Sequence, residues 1–452
     1  MHGQTFSLPQ RPPPCAILPP MKRRLSIIIP LAAALLVAGT VWLLIWWQIT
    51  RTSDVLRNRM AGTAGGSDAA FMMPGNVEVS GDQVLIHLRQ GDLQALQGDW
   101  GAAEKEYEAS VAAGGGIPAL RKLAQSQMQR RNTDGVKATI NRLKREGAKE
   151  EDMLLLESLL QLRLGELAGA QKVLMEAVDS PQKHYGLALL AIVQSDHVAA
   201  RNELAQVQAG WDPSLRSYAR TLQAAYDESA LFPQTKPIHL TTLLSRALAQ
   251  TQECELALPL LAQVVKEQDD YRDAWIVQGY CQLISERFPD ALASFEKAYN
   301  IDPEKPEVQY FLGRTYSALD EHDNAVTFLN YALQNGFEPR KEVRMRLAAE
   351  ALAVNKNDLA FEQLDLLARE SDVELPTVEK LIAVSIALGK KTEAEGYAVA
   401  ATQRWPDSAK AFELLGWTQA ENGKKDEAKA SLEKALEIDP TLQSAKERLG
   451  KL

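Results

Sequence analysis

Residues 272–303 read RDAWIVQGYCQLISERFPDALASFEKAYNIDP. Trp275, Gly279, Ala291, Phe295, Ala298 and Pro303 stand at intervals that fit two helices joined by a tight turn, and the unit recurs after about 34 residues. The next copy offers Leu312, Gly313, Tyr316, Ala325, Leu329 and Ala332; a later one offers Phe412, Leu415, Gly416, Gly423, Ala428, Leu432, Ala435 and Pro440. Glycine costs about 1 kcal/mol of helix propensity against alanine, so its return at one phase needs a packing reason. Gly279, Gly313 and Gly416 predict first-helix positions where the second helix crosses too closely for a side chain. Ala291, Ala325 and Ala428 meet the same demand on the second helix, and Phe295, Leu329 and Leu432 fill the space between successive pairs. Pro303, Pro406 and Pro440 follow the second helix, where a residue without N–H halts continuation.

These residues and their order resemble the tetratricopeptide-repeat (TPR) pattern W-x2-L-G-x2-Y, A-x3-F, P. The resemblance implies an all-α chain, an α-α superhelix of about ten helix-turn-helix repeats. The small residue of the second helix forms a ladder, Ala257, Ala291, Ala325, Ala360, Ala394 and Ala428, with steps of 34, 34, 35, 34 and 34. The repeats around Ala360 and Ala394 keep the phase without the glycine. Upstream, Gly91, Gly98, Asp99, Trp100, Ala103 and Tyr107 make a recognisable unit, and Val136, Ala170 and Ala200 continue the ladder in steps of 33, 34 and 30. The step from Ala200 to Ala257 is 57, too long for one unit. Residues 211–226 therefore read as an extra helix and 227–237 as a linker with Pro233 and Pro237. That divides the array into a degenerate part, 81–226, and a regular part, 238–442. Residues 441–452 read as a charged closing helix, the polar end a solenoid needs.

The N-terminus has a different character. Leu25–Trp47 holds 23 residues without a charge, about 34 Å as a helix, which is enough to cross a hydrocarbon core of about 30 Å. Lys22, Arg23 and Arg24 precede it, and Trp42, Trp46 and Trp47 gather at its far end, where indole rings favour the headgroup boundary. The reading is a transmembrane anchor over 25–49, with the array on the extracytoplasmic side of an inner membrane. A cleaved leader at Val37-Ala38-Gly39 is the competing reading, disfavoured by the bulky run after it. Residues 1–20, with six prolines, read as a disordered tail or an over-extended start, and 50–80 as a glycine-bearing flexible tether.

A net charge of −9 speaks against a basic grip on nucleic acid. No phosphate loop, zinc-protease, nucleophile-elbow or dinucleotide-binding signature is present, and the cysteines show no metal spacing. No catalytic residue, metal or cofactor is expected, and the chain reads as a non-enzyme. The resemblance implies that the first helices line a binding face, presenting Ile276, Tyr280 and Leu283, then Tyr310, Arg314 and Ser317, then Glu413, Trp417 and Ala420. Ile276, Tyr280, Tyr310, Arg314 and Trp417 are the candidate contacts for a protein or peptide, because aromatic and Arg side chains suit such recognition. The alternative is that they pack repeat on repeat. Cys254 opens one second helix and Cys281 ends the next first helix, so the two could meet as a disulfide in an oxidising compartment, or stand as two buried small residues. The function implied is a bacterial envelope scaffold or chaperone-like adaptor. The alternatives are a cytoplasm-facing recruitment or quality-control adaptor and an accessory subunit of an enzyme complex.

Overall fold

The computed structural model describes residues 80–452, and among them every regular element is a helix. The expected tail, anchor and tether at 1–79 lie outside the described residues. Ten helix pairs run along the chain. They are α1 (Ser80–Leu96) with α2 (Trp100–Ala112), α3 (Gly116–Gln129) with α4 (Thr133–Arg145), α5 (Glu150–Arg163) with α6 (Leu167–Glu176), and α7 (Pro181–Val193) with α8 (His197–Ala209). A single helix, α9 (Pro213–Ala230), follows. Then come α10 (Pro237–Gln250) with α11 (Cys254–Glu267), α12 (Arg272–Ile284) with α13 (Phe288–Ile301), and α14 (Pro306–Ala318) with α15 (His322–Gln334). The series ends with α16 (Arg340–Ala353) and α17 (Asn357–Ala368), α18 (Leu375–Ala387) and α19 (Lys391–Arg404), α20 (Ala409–Glu421) and α21 (Lys425–Ile438), closed by α22 (Gln443–Leu449). Among the described residues no helix is long and apolar enough to cross a membrane.

Each pair turns in the same way. One residue with positive φ closes the turn: Gly98, Arg131, Gly165, Ser195, Gln252, Glu286, Asp320, Asn355, Gly389 and Gly423. Each stands five positions before the small residue of its second helix, so this series repeats the ladder step for step. The left-handed residue lets the next N–H reach back five residues, as Arg287 donates to the Gln282 carbonyl at 2.9 Å, and thereby satisfies an orphan carbonyl at the end of the first helix. In three of the pairs the following residue caps the second helix. Asp99, Asn132 and Asp196 each accept from the N–H three positions on, at 2.9, 3.0 and 3.0 Å.

The core lies between the pairs. All ten ladder residues, from Ala103 and Val136 to Ala428, are 0% exposed. A β-carbon on Gly279 would meet the Phe295 ring at 2.7 Å; on Gly313 and Gly416 it would meet Leu329 at 2.7 Å and Leu432 at 2.6 Å. The glycine thus makes room for the large second-helix residue sixteen positions later, and Phe295 stacks onward on Phe311 of the next pair, ring centroids 5.4 Å apart.

The middle of the array departs from the sequence reading. The extra helix runs on to Ala230, with Asp212 accepting from Ser214 and Leu215 at its start, and Trp211 lies outside it, 75% exposed. The linker shrinks to 231–236. No break separates two arrays, because one core runs through Leu215, Ala219, Leu222 and Tyr226 of α9 into Ile238, Leu244 and Leu248 of α10. Apolar phase within the stretch marks a helix correctly, but Asp227 and Glu228 only solvate its last turn instead of ending it.

Candidate protein-binding face

The first helices α10, α12, α14, α16, α18 and α20 stack along one side of the regular part. Residues one repeat apart face each other there. The Tyr310 hydroxyl donates to the Glu342 carboxylate and Ser317 donates to Glu350 at 2.7 Å, while Arg346, one turn along the same helix, holds Glu342 at 3.2 Å. Lys410 bridges Glu379 at 2.8 Å and Glu413 at 3.0 Å. This cross-repeat lacing fixes which side chains remain for a partner.

Ile276 and Tyr280 are half-buried, and the Tyr280 ring meets Phe311 edge-on with centroids 5.5 Å apart. Tyr310 is corrected to a packing residue. It is 3% exposed, stacks on Phe337 at 4.2 Å, and leaves no surface for a ligand. Burial, then the bond to Glu342, raises its phenol. Glu342 is held below the usual carboxylate range: burial opposes this, but the Tyr310 bond and the Arg346 charge outweigh it. Leu283 and Glu413, also placed on the face by the sequence, are buried as well. The closing helix covers Glu413, with Arg448 donating to it at 2.9 Å and lying 4.2 Å over the Trp417 ring. Trp417 is therefore half-buried beneath the cap, and no described contact joins it to Tyr280 or Arg314.

Arg314 stays available. Its guanidinium lies 5.7 Å over Tyr310 and 6.0 Å over Phe311, it is partly exposed, and among the described residues it makes no ion pair. Tyr280, Phe311, Tyr310 and Arg314 thus form a contiguous aromatic shelf with a cation on it. Sequence reasoning missed Phe311, Phe337 and Glu342. The signal was the offset of 32 from Tyr310 to Glu342, close to one repeat, which places two first-helix residues side by side.

The second departure is a clasp across the array. Arg163, at the end of α5, donates through Nε to Glu253 at 2.8 Å, and through its Nη atoms to the carbonyls of Met128 at 2.8 Å and Gln252 at 3.0 Å. Arg131 meets Glu255 at 2.6 Å. Residues 90 positions apart are so joined, and both Arg163 and Glu253 are buried. Burial works against the Arg163 charge, but Glu253 outweighs it and raises the guanidinium further; burial, then Glu253, pushes the neighbouring Tyr185 phenol well up. Beside the pair a cavity of about 250 Å³ is lined mainly by Met128, Val136, Leu160 and Leu258. Cys254, between the two clasp carboxylates, is disulfide-bonded to Cys281 with Cα atoms 5.1 Å apart. Among the described residues no group of three His, Cys, Asp or Glu side chains is placed to hold a metal.

Comparison with known proteins places these repeats. Models of the tetratricopeptide repeat match residues 242–306, 282–349 and 409–442. No curated protein matches the chain. Similar solved structures include YrrB, a TPR protein with an unusual peptide-binding site, at 21% identity and TM-score 0.38, covering 42% of this chain and 98% of that one. PilW, a type IV pilus biogenesis factor, has 16% identity and TM-score 0.34, covering 48% and 99%. A tetratricopeptide repeat protein from Parabacteroides merdae has 15% identity and TM-score 0.31, covering 60% and 97%. Residues 242–349 and 409–442 of this chain thus carry tetratricopeptide repeats.

Proposed function

We propose that the chain is a non-enzymatic scaffold or chaperone-like adaptor that holds partner proteins or peptides on its first-helix face, tethered to the inner membrane of a bacterium through residues 25–49. Arg314 is the observation that carries the reading. Its neighbours satisfy their charges across the repeats, whereas this guanidinium lies beside two aromatic rings and, among the described residues, forms no ion pair, its charge reaching Glu342 only at longer range. Holding a cation over a rigid apolar shelf removes much of the ordering cost of binding, and such Arg-aromatic clusters dominate interface hot spots. A partner segment offering a carboxylate beside an apolar side chain fits it. The uncharged run from Leu25 to Trp47 supports the anchor. The Cys254–Cys281 disulfide supports an oxidising, extracytoplasmic side for the array.

Site-specific photocrosslinking in intact cells tests the reading. A photoreactive side chain at Ile276 should trap a protein partner, while one at Lys297, on the second helix α13, should trap none. Equal capture at both positions would remove the face assignment. Alkylation after rapid acid quenching tests the compartment: Cys254 and Cys281 should resist labelling until a reductant is added, and free thiols would move the array inside.

A further inference from the structure

A second surface arises where the repeat pattern loses a helix. The 57-residue step from Ala200 to Ala257 equals one ordinary unit of 34 plus 23 residues, enough for α9 and its short connection and too few for another pair. α9 packs against α8 as a first helix packs on the pair before it, and the chain then passes directly to α10, another first helix. α9 has no partner helix of its own: α10 turns back on it after residues 231–236 and packs directly against it. Beside this irregular junction lies a groove of about 730 Å³, walled by His197, Val198, Arg201 and Ala205 of α8, Tyr226 of α9 and Leu240 of α10, with polar side chains such as Asn202 and Gln223 at its edges. Along α8 it extends from His197 to Gln208, about 16 Å at 1.5 Å per residue, comparable to the 13-residue second helix α15 at about 20 Å.

We propose that this groove docks one amphipathic helix with acidic flanks, donated by a partner protein. Three observations choose that occupant. The groove has the length of a short helix and follows the axis of α8. Apolar surface is left at it and beside it: Val198 and Leu231 are each 74% exposed, and Phe232, next to His239 of α10, is 54% exposed. The charge is one-sided. Among the described residues Arg201 lines the groove without an ion pair, and Arg216 and Arg220 on α9 have none either, the Arg216 Nε being buried without a hydrogen-bond partner. The nearby acids are mostly taken, Glu203 by His184 at 2.6 Å and Glu228 by Arg246, while Asp227 accepts from Gln223 at 2.8 Å. Local positive surface on a chain of net charge −9 selects an acidic ligand. Burying the apolar stripe of such a helix is the ordinary mode of helix-in-groove recognition. The surface is separate from the first-helix face and does not depend on it.

The probe is a synthetic peptide of about 16 residues, long enough to hold helix when bound. Its apolar stripe copies the Ala428, Leu432, Ala435 spacing, and Glu occupies both flanks; a second peptide carries Lys instead. Fluorescence anisotropy with the full chain should show the Glu peptide binding at least tenfold more tightly than the Lys peptide. Ala205→Trp, which fills the groove from an exposed position, should weaken the Glu peptide at least tenfold at unchanged Tm, and Arg201→Glu should erase or invert the preference. Equal affinity for the two peptides overturns the proposal, as does binding indifferent to both substitutions. Sedimentation showing a dimer of the chain that Ala205→Trp dissociates overturns it in favour of a second copy.

Discussion

Gly279 and Phe295 are complementary halves of one contact: a β-carbon on the glycine would lie 2.7 Å from the ring that packs over it. The ring cannot retreat, since it is stacked on Phe311. Gly279→Ala should therefore destabilise the array by about 1–3 kcal/mol through overpacking. Phe295→Leu should lower the cost of the alanine, so a double-mutant cycle should give a favourable coupling of at least about 0.5 kcal/mol. Amide exchange should rise in α12 to α15 and stay unchanged near Ala103, because coupling in a solenoid is between neighbours. Additive effects in the cycle would dissociate the two residues.

The turn series gives a second, purely local test. Gly423 has φ +77 and open space where a β-carbon would go, so Gly423→Ala changes backbone strain alone. It should cost about 1 kcal/mol, the left-handed penalty less the entropy gained in the unfolded chain. Glu286, at φ 58 in the equivalent turn, already bears that strain, and Glu286→Gly should leave stability within about 1 kcal/mol of the parent. Urea unfolding of both variants measures the difference. A neutral Gly423→Ala would show that the turn accommodates a side chain without strain.

What the sequence discloses depends on how residues encode each feature. The second-helix ladder was readable because close helix crossing restricts residue type to Ala or Val at every step. The turn ladder has the same period and was missed, since Arg131, Ser195, Gln252, Glu286, Asp320 and Asn355 tolerate the left-handed well that glycine marks elsewhere. Tyr310 and Glu413 had a helical phase suited to a ligand face. Phase cannot report that Phe337 and the closing helix cover them. The Arg163–Glu253 clasp was invisible, because its partners are 90 residues apart and obey no repeat spacing.

That clasp should govern how the α3–α5 segment and the α10–α11 pair hold together. Arg163→Ala leaves Glu253 buried without its cation, which costs about 3–5 kcal/mol. Arg163→Met combined with Glu253→Leu should recover most of it, since an apolar pair of similar size carries no desolvation penalty. Hydrogen exchange should accelerate in both α3–α5 and α10–α11 in the single variant. Acceleration confined to α5 would mean that the contact does not couple the segments.

Acid should loosen the closing helix first. Burial opposes the charge on Glu413, but bonds from Lys410 and Arg448 hold its carboxyl below the usual 4.5. A depressed carboxyl contributes its full stabilisation above its unfolded value and loses it as pH falls through the folded one. Exchange of α22 amides, corrected for intrinsic rate, should therefore rise as pH falls below the ordinary carboxyl value of 4.5. Arg448→Ala should remove about 1.5–3 kcal/mol of protection at pH 7, as expected for a hydrogen bond to a charged group, and flatten that acid response. A variant with the parent's pH profile would assign the acid loosening to other carboxylates.

The binding face makes the most specific demand. Among the described residues Arg314 has no ion pair to lose, so its removal should affect partner capture far more than folding. Arg314→Ala should weaken the partner trapped at Ile276 by about 1–3 kcal/mol, the range of a truncated hot spot, with Tm nearly unchanged. Arg314→Lys keeps the charge but loses the planar guanidinium fork beside Tyr310 and Phe311, and should recover less than half of the loss. Tyr310→Ala must behave differently. It empties a buried site stacked on Phe337 and strips the bond from Glu342, so Tm should fall, with a loss of about 3–5 kcal/mol. Thermal melts and capture assays on the same three proteins separate the roles. If Arg314→Ala lowers Tm as far as Tyr310→Ala does, the guanidinium is part of the repeat packing. If it leaves both Tm and capture intact, the partner binds on another surface.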